Sequence, residues 1–266
     1  MQTKMIVIDL DGTLIHSDKT ISERTIETLH QCQDEGIIVV IATARFWIGA
    51  EKYINLIKPD YEITTDGTMI HHAGERVYDY GFDVQTTNKL IHLIQEININ
   101  SEIITAIGKK VLWNSLHISE SEKLHKATFY DYKEPISEIA NKIVSELPNK
   151  EIAINIAQKC NCRLISYRDE NLYGFIPLEA GKIQAIESLA NHLHISMNEI
   201  TAFGDDENDI EMLKKCGLGV AVENAINEVK MVADKQTLSN DEDGVAVFIE
   251  REILKVGCHD FENLMA

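Results

Sequence analysis

Met5-Ile6-Val7-Ile8-Asp9-Leu10-Asp11-Gly12-Thr13-Leu14 is the stretch on which the reading of this chain depends. Its first four residues, Met5 to Ile8, are apolar and mostly β-branched, and they predict a short strand buried on both faces. The run then breaks into two carboxylates two positions apart, followed by Gly12 and Thr13. Residues i and i+2 of an extended chain share a side, so Asp9 and Asp11 can converge just past the strand end. Gly12 permits the tight turn that follows. Open α/β sheets bind ligands at that end of their strands. Two neighbouring carboxylates repel, and they require a shared proton or a cation. A hard, oxygen-seeking ion such as Mg²⁺ suits them. Taken alone, the same letters also describe an acidic turn. An EF-hand loop is excluded, because Gly12 follows Asp9 too soon for that ligand spacing.

The remainder of the chain bounds the class of protein. Its 266 residues fit one large domain or two of moderate size. An apolar fraction of 44% with 26% charged residues predicts a soluble globular protein. The formal charge of -18 argues against nucleic acid and against an anionic membrane surface. It also repels a phosphorylated substrate at long range, so a phosphate site needs a local cation. No apolar run approaches the ~20 residues of a membrane span. The apolar run after Lys4 is cut at Asp9 and does not read as a signal peptide. The five cysteines, Cys32, Cys160, Cys162, Cys216 and Cys258, are odd in number and scattered. Cys160 and Cys162 form a lone C-x-C without partner ligands and read as strand residues. Reduced thiols fit a cytoplasmic location. A monomer or homodimer is expected.

In chain order, Ser22 is a plausible N-cap of a helix that Gly36 stops. Ile37 to Ala42 predicts a second strand, ending in Thr43-Ala44-Arg45. A helix from about Phe46 to Lys58 is closed by Pro59. A weaker strand, Tyr61 to Thr65, then leads into Asp66-Gly67. This alternation predicts a doubly wound, mostly parallel α/β core. The pattern then changes. Met69 to Tyr80 predicts a hairpin, a helix spans about Thr86 to Ile97, and a second hairpin pairs Glu102–Ile107 with Val111–Trp113. Lys126 to Asp131 is a possible strand. Pro135 opens a predicted helix with Ile136, Ile139, Ala140, Ile143 and Leu147 at helical spacing. Glu151–Ala157, Cys162–Tyr167 and Leu172–Ile176 read as successive strands. Residues 81–180 are therefore expected to form an inserted α+β domain, with 1–80 and 181–266 as the core. From Lys182 the doubly wound pattern resumes, and the strand Ile200–Phe203 ends in Gly204-Asp205-Asp206-Glu207-Asn208-Asp209. A last strand at Leu218–Val222 and a final helix near Gly244–Leu254 complete the core.

Three core strands thus end in polar groups: Asp9 with Asp11, Thr43, and Asp205 with Asn208 and Asp209. Parallel neighbours place such ends side by side. Carboxylates for a cation, a hydroxyl donor, Lys182 at a helix start and helix N-termini together describe a phosphate site. A carboxylate held against phosphorus can attack it, forming an aspartyl phosphate.

D-L-D-G-T (Asp9–Thr13), A-T-A-R (Ala42–Arg45), Lys182 and G-D-D-E-N-D (Gly204–Asp209), in that order, resemble the motifs of the haloacid dehalogenase superfamily of phosphatases. The likeness is specifically to the Cof-like branch with a C2-type α/β cap. Gly217–Ala225 and Asp241–Ala246 are similar to that branch too, so the resemblance covers essentially the whole chain. It implies that Asp9 is the nucleophile and also a Mg²⁺ ligand. Asp11 is then general acid and base, with its backbone carbonyl on the metal. Thr43 and Lys182 hold phosphoryl oxygens, Asp205 and Asn208 are metal ligands, and Asp209 orients the site from behind them. Positioning and cations carry most of the catalysis in such transfers.

Several side chains admit two readings. Thr43 alone could cap a helix, and Lys182 alone could be a solvated helix start. Asp206 and Glu207 read as solvent-facing or capping groups. Arg45 could contact phosphate or pair with the cap. The branch usually has T-G-R where Ala44 stands, N-G-A at Asp66-Gly67-Thr68 and K-G at Lys182-Ile183. Asp66 therefore adds a carboxylate near the expected substrate mouth. The segment from Pro148 to Lys182 is longer than usual, with room for one extra strand. The expected activity is Mg²⁺-dependent hydrolysis of small phosphorylated metabolites such as sugar phosphates, with Arg45, Asp66, Tyr167 and Arg168 as candidate substrate contacts. A phosphomutase or phosphotransferase, or a catalytically silent phosphometabolite-binding protein, are the alternatives.

Overall fold

The computed structural model describes residues 2–120, 124, 126–167 and 171–255. In chain order it opens with β1 (Met5–Ile8), α1 (Glu23–Asp34), β2 (Ile38–Ala42), α2 (Trp47–Ile57) and β3 (Tyr61–Thr64). A hairpin of β4 (Met69–His72) and β5 (Glu75–Asp79) precedes α3 (Val84–Ile97). Next come β6 (Ile103–Ile107), β7 (Lys110–Trp113), β8 (Thr128–Phe129), β9 (Lys142–Glu146), α4 (Lys150–Cys160), β10 (Cys162–Ser166) and β11 (Leu172–Pro177). The chain closes with α5 (Lys182–His192), β12 (Ile200–Gly204), α6 (Ile210–Lys215), β13 (Leu218–Ala221), α7 (Asn227–Val232), β14 (Lys235–Gln236) and α8 (Gly244–Phe248). The described residues divide into two compact units, one drawn from Met1–Thr43, Tyr53–Glu62 and Ile186–Ala266, the other from Ala44–Lys52 and Ile63–Ala185.

The first unit is built on a parallel sheet in the order β14-β13-β12-β1-β2. Every side chain of β1 is fully buried, as its unbroken apolar run requires. Ile8 stands opposite Phe203 on one side and Ile41 on the other, with all three strands parallel. From β1 the chain winds outward through β2 on one flank; on the other flank it runs through β12, β13 and β14. The winding reverses between β1 and β12, and such a switch point opens a crevice at the carboxyl ends of the two strands. Ser22 caps α1, its hydroxyl accepting from the Thr25 N–H, and Leu29 and Cys32 turn the buried face of that helix inward.

The second unit holds the β4–β5 hairpin and a six-stranded sheet in the order β10-β11-β9-β6-β7-β8. Its strands pair antiparallel apart from the short β7–β8 contact. Leu90, Ile91 and Ile94 of α3 and Ala153, Ile156 and Cys160 of α4 pack with Ile143 and Phe175 in one apolar core.

Here two expectations from sequence are reversed. Pro135–Leu147 is not a helix; its latter part is β9, hydrogen-bonded between β11 and β6. Ile143 and Val144 point to opposite faces and are both buried, which a central strand achieves, while Ile139 of the supposed apolar stripe is 46% exposed. Glu151–Ala157 is not a strand but lies in α4, opened by the Asn149 side chain accepting from the Ile152 N–H and closed by Asn161 in a left-handed conformation. Ala153, Ile156, Ala157 and Cys160 are its buried stripe. The segment from Pro148 to Lys182 holds α4, β10 and β11. The Lys126–Asp131 strand shrinks to Thr128–Phe129. Among the described residues no helix is long and apolar enough to cross a membrane.

Candidate active site

In the first unit the sheet delivers three carboxylates to the β1/β12 switch point. Asp9 follows β1 directly, and its N–H donates to the Phe203 carbonyl at 3.1 Å, prolonging the β1–β12 ladder by one residue. The chain then turns within a few residues, the Leu14 and Ile15 N–H groups both donating to the Leu10 carbonyl. Gly12 takes φ +80 in this turn, and a Cβ there would lie 2.5 Å from Asp205 Oδ2. Only glycine meets both the dihedral and the close approach.

From the other strand, Asp205 receives the Thr13 hydroxyl on Oδ1 at 2.9 Å. Asp209 lies one turn further on, fully buried. Its Oδ2 accepts from the N–H groups of Asp205 at 3.0 Å and Asp206 at 3.2 Å, closing the loop after β12. Gly204 leaves room for this, because a Cβ there would stand 2.5 Å from the Asp209 Cβ. Asp206 proves to be a capping group, its carboxylate accepting from the Glu207 N–H at 2.8 Å, and Glu207 is exposed. Asp11 is half-buried, Asn208 is half-buried, and Thr43 is buried just beyond β2.

Asp9, Asp205 and Asp209 each offer a carboxylate oxygen, all within 4.8 Å of one another, and all three residues are buried. Like charges held so close in a dry site require a shared proton or a cation. Hard oxygen donors at a strand-end crevice have the chemistry of a divalent metal centre. Asp209 contributes to this cluster as well as bracing the loop beneath it.

Two neighbours had no role assigned from sequence. Asn224 donates from Nδ2 to the Gly12 carbonyl at 2.6 Å, and its Oδ1 accepts from the Asn240 N–H at 2.9 Å. Asn240 in turn donates to the Ile15 carbonyl at 2.8 Å. The turn carrying Asp11 is thus tied down by two asparagines more than 200 residues away in sequence. Asn224 falls inside the Gly217–Ala225 motif, the one sequence signal that pointed to it. The Asp241–Ala246 motif acts nearby, Asp241 accepting from the Ser17 N–H and hydroxyl at 2.7 Å each.

The second unit holds the other predicted residues. Lys182 opens α5 and is buried. Arg45 donates to the Gly49 carbonyl at 2.8 Å. Asp66 is buried in a left-handed conformation and forms an ion pair with Lys142, whose ammonium also donates to the Ala44 carbonyl at 2.9 Å. Lys142 lies 5.1 Å from the centre of the Tyr167 ring. Complete burial pushes the Lys142 ammonium below the ordinary lysine value; Asp66 opposes that shift and nearby Lys182 adds to it. No local pattern marks Lys142 in the sequence, where it falls in the stretch that reads as helix. Arg168 lies outside the described residues.

A parallel α/β unit with three buried carboxylates at its switch point has the architecture of an α/β protein whose strand-end site could hold a divalent metal. A family model described as haloacid dehalogenase-like hydrolase matches residues 6–249. The chain belongs to that family, and it is an enzyme of the phosphatase type. It is 26% identical over 265 residues to 5-amino-6-(5-phospho-D-ribitylamino)uracil phosphatase YitU of Bacillus subtilis, covering 94% of this chain and 98% of that protein. Another B. subtilis protein of the same described activity, YcsE, is 29% identical over 258 residues, with 94% and 96% covered. Among solved structures, a haloacid dehalogenase-like hydrolase from Bacteroides thetaiotaomicron superposes with a TM-score of 0.79 at 28% identity, covering 94% of this chain and 99% of that one.

Proposed function

We propose that this protein is a Mg²⁺-dependent phosphomonoester hydrolase that acts on small phosphorylated metabolites through a covalent Asp9 intermediate. The observation that carries this reading is the convergence of buried Asp9, Asp205 and Asp209 at the carboxyl ends of the paired strands β1 and β12. In the first step an Asp9 carboxylate oxygen attacks phosphorus, the ester P–O bond breaks, and the leaving oxygen takes its proton from the Asp11 carboxyl. In the second, Asp11, now a carboxylate, removes a proton from water as that water attacks phosphorus. The bond to Asp9 breaks, and inorganic phosphate leaves. Each proton transfer of this kind is typically worth ~10²–10⁴-fold in rate. The motif likeness assigns Thr43 and Lys182 to the phosphoryl oxygens. A Mg²⁺ held by Asp9, the Asp11 carbonyl, Asp205 and Asn208 would neutralise charge on the transferring group.

The named relatives act on a phosphorylated ribityl compound, which supports a sugar or polyol phosphate as the substrate class. Residues 81–180 are assigned the role of a cap that selects the leaving group, and Arg45 and Asp66 of the core segment with Tyr167 and Arg168 of the cap are the candidate substrate contacts. The buried, unpaired thiols of Cys32, Cys160, Cys162 and Cys216 fit a reducing cytoplasm. Phosphate release from a chromogenic phosphate ester, with Mg²⁺ and with a chelator, tests the reading. Release is expected only with the metal, and metal-independent turnover or none at all would overturn it.

A further inference from the structure

Thr65, Asp66 and Gly67 form three consecutive left-handed residues, with φ of 58°, 57° and 85°. A β-branched threonine at such a φ is a true outlier, and strained turns of this kind persist only where their surroundings hold them. Here the holders are identifiable. The Thr65 N–H donates to the Arg45 carbonyl at 2.8 Å. Asp66 pairs with Lys142, and Lys142 is itself anchored to the Ala44 carbonyl. Lys142 opens β9, standing opposite Ala106 of β6, and the residues that follow it pair with β6 on one side and β11 on the other.

What the turn supports is the start of α5. A Cβ on Gly67 would stand 2.6 Å from the Lys182 nitrogen and would overlap the Gly181 carbonyl, so the two backbones are in direct contact. We infer that Lys142, through its ion pair with Asp66, is a positioning residue that locks the Thr65–Gly67 turn and thereby sets the place of Lys182. This goes beyond the proposed activity but rests on Lys182 as a phosphoryl-binding group. The charge balance agrees with it. Asp66 stands as counter-ion to the buried Lys142 ammonium, which also feels the charge of buried Lys182. Removing either member leaves a buried charge unpaired. Removing both leaves a neutral turn, with asparagine supplying the residue of the N-G-A pattern.

The test compares Lys142→Met, Asp66→Asn, the double variant and Lys182→Met. It measures inhibition by inorganic phosphate, kcat and KM on a chromogenic ester, and the melting temperature. Each single variant is expected to weaken phosphate inhibition roughly 10-fold or more, since small displacements of a binding group have large effects. The double variant should recover to within about 3-fold of wild type, as members of one contacting pair are not additive. Asp66→Asn preserves side-chain volume and carries the test should Lys142→Met fail to fold. Lower melting temperatures with unchanged phosphate inhibition and KM would overturn the inference, as would additive losses in the double variant. If Lys182→Met alone weakens phosphate inhibition while the other variants do not, positioning is wrong and the role of Lys182 stands. If Lys182→Met keeps wild-type inhibition, both readings fall together.

Discussion

The Thr13 hydroxyl donates to Asp205 Oδ1 at 2.9 Å, joining the turn after β1 to the end of β12 across 192 residues of chain. Both groups are buried, so the bond determines how the Asp205 carboxylate is presented to Asp9 and Asp209. Thr13→Val keeps the side-chain shape and leaves that oxygen without its donor. Losing the partner of a buried acceptor costs about 1–3 kcal/mol. A lower melting temperature and a higher Mg²⁺ requirement are expected together in metal-titrated assays. An unchanged Mg²⁺ requirement would separate Thr13 from the metal centre.

Asp9→Asn is expected to abolish turnover while the fold survives. The amide has nearly the same size but is a poor nucleophile, and one of three crowded charges disappears. The metal-free variant should melt no lower than the metal-free parent. Turnover near the wild-type rate would eliminate the covalent route.

Asp205→Ala and Asp209→Ala should differ in kind. Asp205 bonds the ion directly in the proposed site, so its loss should raise the Mg²⁺ concentration needed for activity more than the loss of Asp209 does. Asp209 also receives two backbone N–H groups. Its replacement should therefore cost the fold about 1–3 kcal/mol as well. Chemical denaturation alongside Mg²⁺ titration resolves the two, and the reverse ranking would exchange their roles.

Gly12→Ala pairs with Gly36→Ala as a control. Both glycines have left-handed φ, +80 and +78, so either alanine incurs a backbone penalty of about 1–2 kcal/mol. Around Gly36 nothing lies within 4 Å of the new methyl, whereas at Gly12 it would press on the Asp205 carboxylate. Activity should fall steeply for Gly12→Ala and be retained for Gly36→Ala. Equal activity in the two would mean that the Gly12–Asp205 contact is dispensable.

His71 supplies a pH signature in the second unit. Burial, with Lys109 and Arg76 adding to it and Asp79 opposing, pushes its pKa down from 6.5 to about 4. The folded state thus favours the neutral ring, which packs against Trp47 with centroids 4.6 Å apart and planes tilted by 58°. A depressed folded-state pKa contributes stability that is fully present above pH 6.5 and is lost as the pH falls towards 4. His71→Phe should remove this component, so the wild-type-minus-variant stability should drop by about 1.4 kcal/mol per pH unit across that window. A difference that stays flat there would show that His71 is protonated in the fold.

Much of this protein is local in origin and was legible in its residues. The buried run of β1, the D-x-D-G turn, the Ser22 cap and the Gly204–Asp209 loop each declare themselves over a few positions, because strand periodicity, capping and left-handed glycine are short-range effects. They sufficed for the doubly wound core and for Asp9, Asp11 and Asp205 as candidates. The segment Pro135–Cys160 read in reverse, helix for strand and strand for helix. Its apolar spacing satisfies either period, and only hydrogen bonding to β11 and β6 on one side, and packing beside α3 on the other, decides between them. Partners distant in sequence leave no local mark. Thr13 on Asp205 and Lys142 on Asp66 are long-range pairings between side chains that look ordinary where they stand, and the motif around Asn224 does not reveal that it reaches the Gly12 carbonyl. Sequence determined which groups could do the chemistry. Tertiary structure alone decided what holds them, because a buried carboxylate or ammonium persists only where folding brings it a partner.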